Sequence, residues 1–284
     1  MSDIRLIDAA LVTETVKNLL IEANYRLPCD VSHCMARAEE TERDSLAKSV
    51  LARLNENARL ARELDVPICQ DTGMAVVFAE VGEDVHVSGA TLEEAVNAGV
   101  SRAYLEGALR CSVVSDPLYD RRNTDDNTPA VLHICTVKGS TLRLTAAPKG
   151  FGSENMAFLK MMTPASGEED VLNFVIDSVK RAGSNPCPPI VVGVGIGSDF
   201  EGVALLAKRA LLRELGTSHR DNRYANLEKR MLSGINALGI GAQGFGGDTT
   251  ALAVHIETAP THIAGLPVAV NIACHVSRHA TAVI

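Results

Sequence analysis

The hydrophobic pattern of this chain changes near Val66, and that change limits the folds it can adopt. Up to residue 65, apolar residues recur at helical spacing with charged residues between them. After that point, short apolar runs alternate with helical stretches, the pattern of strands mixed with helices. The predicted fold class is therefore α/β. A helical N-terminal segment, residues 1–65, is expected to pack on a mixed α/β core with several short strands, residues 66–284, within one domain.

Several local signals predict where elements begin. Thr91 to Glu94 and Ser166 to Glu169 both have the spacing of a capping box, and Asp30 is predicted to be a helix N-cap. The glycine-rich run 193–198 is too closely spaced for a dinucleotide fingerprint and is predicted to be a tight strand-to-helix turn. Strands are predicted at 74–80, 131–137, 141–147, 190–196, 251–257 and 267–273, and helices from Thr91 to about Leu109, from Ser166, and at 199–215 and 221–238.

Composition excludes some classes of function. A net charge of −8 over 284 residues argues against nucleic acid as a main partner, since phosphate contacts need basic surface. No run of 18 apolar residues predicts a membrane span, and the N-terminus lacks the pattern of a signal peptide. Seven cysteines without the dense spacing of a disulfide scaffold predict a reducing, cytoplasmic location.

Three of the cysteines end apolar runs beside residues that can do chemistry: Cys69, Cys187 and Cys274. Separations of 118 and 87 positions exclude a local zinc knuckle but allow a site assembled by the fold. Three converging thiolates can hold a [4Fe-4S] cluster on three of its irons, which leaves the fourth iron as a Lewis acid for substrate. The alternative is that these cysteines pack as small hydrophobic residues.

The neighbouring polar residues leave similar alternatives open. Asp71 could bond local backbone amides in a turn or face a substrate. Arg110, Arg121 and Arg122 could each bind a carboxylate through the guanidinium fork, or could be solvated surface charges. The loop 149–155 is rich in small residues, so its backbone amides could approach an anion. Four histidines near the C-terminus are candidates for proton transfer or for ordinary packing: His255, His262, His275 and His279.

Three segments, in order, resemble the class I iron–sulfur fumarases. They are Pro-Ile-Cys-Gln-Asp-Thr-Gly at 67–73, Asn-Pro-Cys-Pro-Pro at 185–189, and Ala-Gly-Leu-Pro-Val-Ala-Val-Asn-Ile-Ala-Cys-His at 264–275. The resemblance covers about residues 10 to 280. It is to the N-terminal domain of single-chain enzymes or the α subunit of two-chain ones, and L-tartrate dehydratase α subunits are relatives.

The resemblance implies a role for each matching residue. Cys69, Cys187 and Cys274 would bind a [4Fe-4S] cluster, and the other four cysteines would pack or lie outside the site. Asp71 and His262 would form an acid pair that protonates the departing hydroxide. The resemblance implies three further substrate-binding residues: Gln70, Arg110 and Gly152.

The resemblance also implies partners and an activity. In the family, the catalytic base and further basic substrate-binding residues belong to a C-terminal domain or β subunit, so a β subunit is expected, with homodimerisation through α or an α2β2 assembly. The implied activity is reversible hydration of fumarate, a small dicarboxylate, to (S)-malate. The alternatives are an L-tartrate dehydratase α subunit, a hydratase of another small diacid, and a non-catalytic iron–sulfur sensing subunit.

Overall fold

A computed structural model describes residues 4–284, and the α/β class predicted from the sequence is confirmed. Among the helices in this range, none has the length and apolar character that a membrane span requires. The elements in chain order are β1 (Arg5–Asp8), α1 (Ala9–Tyr25), α2 (Cys29–Thr41), α3 (Ser45–Leu64), β2 (Met74–Gly82), β3 (Val85–Ser88), α4 (Leu92–Glu106), β4 (Val131–Val137), β5 (Leu142–Lys149), α5 (Phe151–Glu154), β6 (Phe158–Met162), α6 (Glu168–Ala182), β7 (Ile190–Ser198), α7 (Phe200–Ala210), α8 (Asn222–Asn236), β8 (Ala251–Thr261), β9 (Leu266–Ala273) and β10 (Ala280–Val283).

All six predicted strands are present as β2, β4, β5, β7, β8 and β9, with ends shifted by a few residues. The strands β1, β3, β6 and β10 were not predicted. Each has only four or five residues, which is too short for alternation to distinguish it from a loop. Their extended form depends on pairing with a neighbouring strand.

Helix starts were predicted with mixed success. The capping box at Thr91 is confirmed, because Thr91 and Glu94 exchange side-chain and backbone hydrogen bonds. The one at Ser166 is wrong: Gly167 is the N-cap of α6, and its N–H donates to the Asp170 carboxylate at 2.8 Å. The helix therefore begins one residue later than the Ser-x-x-Glu spacing implies.

Asp30 is not an N-cap either. Helix α2 begins at Cys29, so Asp30 lies in its first turn. Its carboxylate instead accepts a hydrogen bond from the backbone N–H of Leu215 at 2.7 Å. An acceptor that bonds a residue far along the chain cannot be told from a local cap by sequence spacing.

The chain folds into two compact units. Unit 1 contains the N-terminal residues up to Pro28, Ala58–Gly150 and Arg278–Ile284, and unit 2 contains Cys29–Asn57 and Phe151–Ser277. The N-terminal segment that was predicted to be helical thus contributes α1 to unit 1 and α2 to unit 2. The prediction of one domain over residues 1–284 stays a prediction.

The main sheet of unit 1 has the strand order β10-β5-β2-β4. Strand β2 is parallel to β4 and antiparallel to β5, and β5 is antiparallel to β10. Ala75, Val77 and Ala79 alternate on one face of β2, where they pack in a core with residues of α1 and α4. Strands β1 and β3 form a separate parallel pair.

The sheet of unit 2 has the strand order β6-β9-β7-β8, with β7 in the interior. The even-numbered residues 190–196 of β7 pack in a core with α6 and α8. Gly193 and Gly195 lie on the other face, where a Cβ would come within 2.1 Å of the Ala207 carbonyl oxygen and 2.2 Å of that of Val203 in α7. The prediction of a turn at 193–198 is therefore wrong. Glycine is needed here because a helix backbone approaches the strand closely.

Candidate active site

Three of the predicted residues line one cleft in unit 1. Cys69, Gln70 and Arg110 border a cleft of about 310 Å³, whose other lining residues are Pro67, Thr72, Ala108 and Leu109. The Arg110 N–H donates to the Thr72 hydroxyl oxygen at 2.9 Å, and that hydroxyl lies 3.2 Å from the Arg110 carbonyl oxygen, to which it donates. These bonds hold the residues before β2 against those after α4.

Asp71 adopts the turn that was one of its two predicted roles. Its Oδ1 accepts a hydrogen bond from the Gly73 N–H at 3.0 Å. Its Oδ2 lies 3.0 Å from where a Cβ of Gly150 would be, so the carboxylate approaches a position that only glycine leaves open. Local bonding of Asp71 therefore coexists with a carboxylate oxygen directed toward the end of β5.

Buried side chains hold the backbone of residues 71–73. The Asp71 carbonyl accepts from Arg278 Nη2 at 2.5 Å. The Tyr104 hydroxyl lies 3.0 Å from the Thr72 carbonyl oxygen and 2.8 Å from that of Gly73, which also accepts from Asn127 at 3.2 Å. Burial raises the pKa of Tyr104 above its usual range, so it remains a phenol that can donate.

Sequence reasoning did not identify Arg278 and Tyr104. Neither lies in a recognisable motif, and both act on backbone oxygens rather than side chains. Asn127 lies shortly after Arg121 and Arg122, two of the candidate arginines. Its Oδ1 accepts from the backbone N–H groups of Ser112 and Val113, so the loop around Asn127 is ordered by its own side chain.

Two of the predicted cysteine ligands meet at one end of the unit 2 sheet. Cys187 precedes β7 and Cys274 follows β9, and these strands are antiparallel neighbours. The His275 N–H donates to the Cys187 carbonyl at 3.3 Å, and His275 Nδ1 lies 3.1 Å from the same oxygen. Cys187 is exposed, with φ of 55°, and Cys274 is half-buried.

Gly152 lies near the same end. It belongs to the short helix α5, and a Cβ at Gly152 would lie 3.6 Å from the Asn185 carbonyl oxygen, two residues before Cys187. The neighbouring Glu154 pairs with Lys208 of α7 at 2.5 Å. Unit 2 therefore brings Gly152 close to the segment that carries Cys187.

His262 lies at the opposite end of that sheet. It follows β8, which is parallel to β7, and the Thr261 hydroxyl donates to the Ser198 carbonyl where β7 ends. Strand β9, whose eight residues separate this end from Cys274, spans about 24 Å. The structure does not bring His262 to the Cys187 and Cys274 pair of the same sheet.

The ring of His262 has a defined hydrogen-bond state. Its Nδ1 lies 3.1 Å from the Ala264 N, and an acceptor here must be unprotonated. Nε2 is the ring nitrogen that this hydrogen bond leaves open. The ring is exposed, so Nε2 is the nitrogen that can exchange a proton with a bound molecule.

The sulfur donors of unit 2 fit part of an iron–sulfur group. Within residues 4–284, no three histidine, cysteine, aspartate or glutamate side chains are grouped so that they could hold a metal ion. All seven cysteines lie in this range, and all are thiols rather than disulfides. Cys187 and Cys274, in loops at one sheet end, fit two of the three ligands that such a group requires.

Burial disfavours metal binding or proton transfer at two other cysteines and at one other histidine. Burial, with nearby carboxylate charge, raises the pKa of the Cys34 and Cys111 thiols, which disfavours the metal-binding thiolate. His255 is only 1% exposed in β8, and burial lowers its pKa. Arg121 is exposed and donates to the carbonyl of Pro117 in its own loop.

The structure thus defines an α/β protein with cysteine-bearing segments at the ends of two mixed sheets. A model of the family described as "Fumarate hydratase (Fumerase)" matches residues 13–283. The chain therefore belongs to the fumarate hydratase (Fumerase) family of hydro-lyases, and the predicted resemblance is confirmed.

Curated relatives match over nearly the whole chain. A protein of Methanocaldococcus jannaschii named "Putative L(+)-tartrate dehydratase subunit alpha" is 42% identical over 273 residues, which cover 95% of this chain and 96% of that one. The "L(+)-tartrate dehydratase subunit alpha" of Escherichia coli K12 is 32% identical over 95% of this chain and 89% of its own. Both are similar to this chain along its two units.

Proposed function

We propose that this chain is the α subunit of a [4Fe-4S]-dependent hydro-lyase that reversibly hydrates fumarate to (S)-malate. One observation carries the proposal beyond family membership. Cys187 and Cys274 lie at the same end of two paired strands, and His275, the residue after Cys274, donates its backbone N–H to the Cys187 carbonyl. Two thiols held in this way, far apart in sequence, suit a shared cluster better than separate packing roles.

Cys69, Cys187 and Cys274 would hold the cluster. When bound, the cluster supplies a Lewis acid for the oxygen atoms of the substrate. The cleft beside Cys69 supports this assignment because Gln70 and Arg110 line it too. Arg110 would bind one substrate carboxylate through its guanidinium fork, Gln70 would orient it, and the Gly152 N–H would donate to a carboxylate.

Asp71 and His262 would handle the proton that leaves with the hydroxyl group. Nε2 is the His262 nitrogen suited to pass this proton on, since Nδ1 is engaged with Ala264, and Asp71 would complete the acid pair that resupplies it. The length of β9 separates His262 from Cys274 by about 24 Å. We therefore assign His262 to the centre of a second copy, which agrees with the expected homodimer or α2β2 assembly.

A β subunit would complete the site. Both relatives are named as alpha subunits, which supports a partner chain of a second kind. That partner would carry the base that removes the C3 proton and a second cation for the dicarboxylate. The thiol state of all seven cysteines in the described range supports a reducing, cytoplasmic location.

Dehydration of L(+)-tartrate is the second candidate activity, and the names of the two relatives favour it. Fumarate and tartrate each have two carboxylates, one of which Arg110 would bind, so the cleft in unit 1 suits either. A sensing subunit would keep the cysteines but has no need for Arg110 beside Cys69 in one cleft.

The test is an anaerobic assay of the chain co-expressed with its β partner. Fumarate, (S)-malate and L(+)-tartrate are offered separately, with iron measured on the same sample. Turnover of fumarate and (S)-malate with about four irons per chain is the expected result. Turnover of tartrate alone would show that tartrate, and not fumarate, is the substrate. Full iron with no turnover of any diacid would favour the sensing subunit.

A further inference from the structure

Arg278 is a buried cation whose hydrogen-bonding capacity is largely unused. The residue is 6% exposed and lies two positions before β10 in unit 1. One guanidinium nitrogen, Nη2, donates to the Asp71 carbonyl oxygen. The Nε and Nη1 atoms are buried and have no hydrogen-bond partner within residues 4–284. A guanidinium stays charged at any relevant pH, so this charge is buried against a single neutral acceptor.

The buried carboxylates of unit 2, unlike Arg278, have several hydrogen-bond partners each. Glu228 accepts from Arg213 at 2.6 Å and from the backbone N–H of Ile256 at 2.8 Å. Glu42 accepts from the backbone N–H groups of Asp248 and Thr249. Buried charges that serve only the fold have their partners in place, as these do. Arg278 departs from that pattern, which points to a partner that arrives from outside the chain.

The surroundings of Arg278 are the segment that carries the predicted chemistry. Its bond to the Asp71 carbonyl lies two residues from Cys69 and one from Gln70. The charges of Arg278 and Asp71 both act on the Tyr104 hydroxyl, which bonds the next two carbonyls of the segment. Arg278 is thus one of three side chains that hold residues 71–73, and it alone brings a positive charge.

We propose that Arg278 is a positioning residue of the hydro-lyase site. Its Nη2–H holds the Cys69–Asp71 segment through the Asp71 carbonyl, and its unpaired charge attracts a dianionic substrate toward that segment. The second role rests on the proposed function, and the first does not. A buried charge without an ion-pair partner contributes little to stability, so its replacement by an apolar residue of similar length is compatible with folding.

The first test measures the holding role without any activity. The full cluster-free chain is alkylated with iodoacetamide, and the rate at each cysteine is followed by mass spectrometry. Arg278→Met is expected to raise the rate at Cys69 about tenfold, since a hydrogen bond from a charged donor is lost and the segment opens more often. The rates at Cys34 and Cys135 in the same molecules are expected to be unchanged. Arg278→Lys, which keeps a charged donor, is expected to restore most of the slow rate.

The matched control is Arg143→Met, which removes an exposed arginine of β5 that pairs with Glu80 at 3.4 Å. It is expected to leave the Cys69 rate at the wild-type value. A wild-type Cys69 rate in Arg278→Met would overturn the proposal. So would an equal rise at Cys69, Cys34 and Cys135, because that result reports general unfolding and a purely structural arginine.

The second test uses the αβ complex and the diacid that it turns over. Arg278→Met is expected to raise KM about tenfold through the lost attraction, with four irons retained, and Arg278→Lys to return KM close to wild type. An unchanged KM in Arg278→Met would overturn the charge role. If the wild-type complex turns over no diacid, the proposed function fails, and the Cys69 rates still decide whether Arg278 holds the segment.

Discussion

The two units build sheets of the same design from unlike sequences. Across β10-β5-β2-β4 and across β6-β9-β7-β8, the strand pairs run antiparallel, antiparallel and parallel. In each, an expected cysteine ligand lies where an interior strand begins and its antiparallel neighbour ends: Cys69 precedes β2, and Cys187 precedes β7. The two sheets therefore place these cysteines at equivalent strand ends.

The units differ in how helices approach these sheets. In unit 2, glycines in the strand β7 make room for α7. In unit 1, the glycine is in a helix: a Cβ at Gly99 of α4 would come within 2.7 Å of the Thr13 carbonyl oxygen in α1. Close helix–strand contact and close helix–helix contact are therefore alternative ways of covering one sheet design.

These two strand ends also differ in their hydrogen bonds and in the exposure of their cysteines. In unit 1, side chains of Arg278, Tyr104 and Asn127 hold three consecutive carbonyls before β2. In unit 2, Cys187 is exposed, and its carbonyl accepts a hydrogen bond from the His275 N–H. Unit 1 thus offers a segment held by three side chains, and unit 2 offers an exposed thiol at Cys187.

The prediction with the largest expected effect tests Cys187 as a cluster ligand in unit 2. Cys187→Ser is expected to abolish iron binding, because an alcohol does not replace a thiolate on iron. Iron and sulfide are measured on anaerobically purified protein. Cys135→Ser, on β4 of unit 1, is the control and is expected to keep full iron. Full iron in the Cys187→Ser variant contradicts the assignment.

The second prediction concerns the distant end of the same sheet. His262→Asn is expected to lower kcat by about 10²-fold or more, the scale for a positioned acid. If His262 serves a second copy, a mixed assembly of His262→Asn and Cys187→Ser chains regains activity at sites formed by intact residues of each. Kinetics of the two variants alone and co-expressed check this. No recovery in mixed assemblies would place His262 in the site of its own chain.

The third prediction tests the two kinds of close contact. Gly195→Ala is expected to lower the free energy of unfolding by about 2 kcal/mol, since a Cβ has no room against α7. Gly99→Ala is expected to cost less, because alanine favours the helical backbone of α4. Urea unfolding measures both. Gly167→Ala, where a Cβ meets nothing within 4 Å, is the control. Equal stability of Gly195→Ala and wild type would refute the close-contact argument.

The smallest expected effect is a pH dependence of stability that arises from His255 in unit 2. Burial lowers the pKa of His255, so the folded state binds its proton less readily than the unfolded state, in which the histidine pKa is about 6.5. As the pH falls below about 6.5, the unfolded state takes up a proton that the folded state does not, and stability is lost. Urea midpoints at pH 7.5 and 5.5 measure this loss, which His255→Asn is expected to reduce. An unchanged pH slope in that variant would argue against His255.

Sequence patterns were sufficient for the long elements and for the family. Six strands of seven or more residues and the capping box at Thr91 carry enough local signal to be read without a structure. The resemblance of three segments identified the fumarase family, which the match over residues 13–283 confirms. Each of these signals is carried by neighbours in the chain, because period, caps and motifs are local properties.

Only the tertiary structure decided which distant residues lie close together. Strand order put Cys187 beside Cys274 and left His262 a strand's length away, although His262 is nearer to Cys274 in sequence. It also made 193–198 a strand beneath a helix and brought Arg278 to the carbonyl of Asp71. Pairing and close approach depend on residues distant along the chain, so local patterns do not specify them.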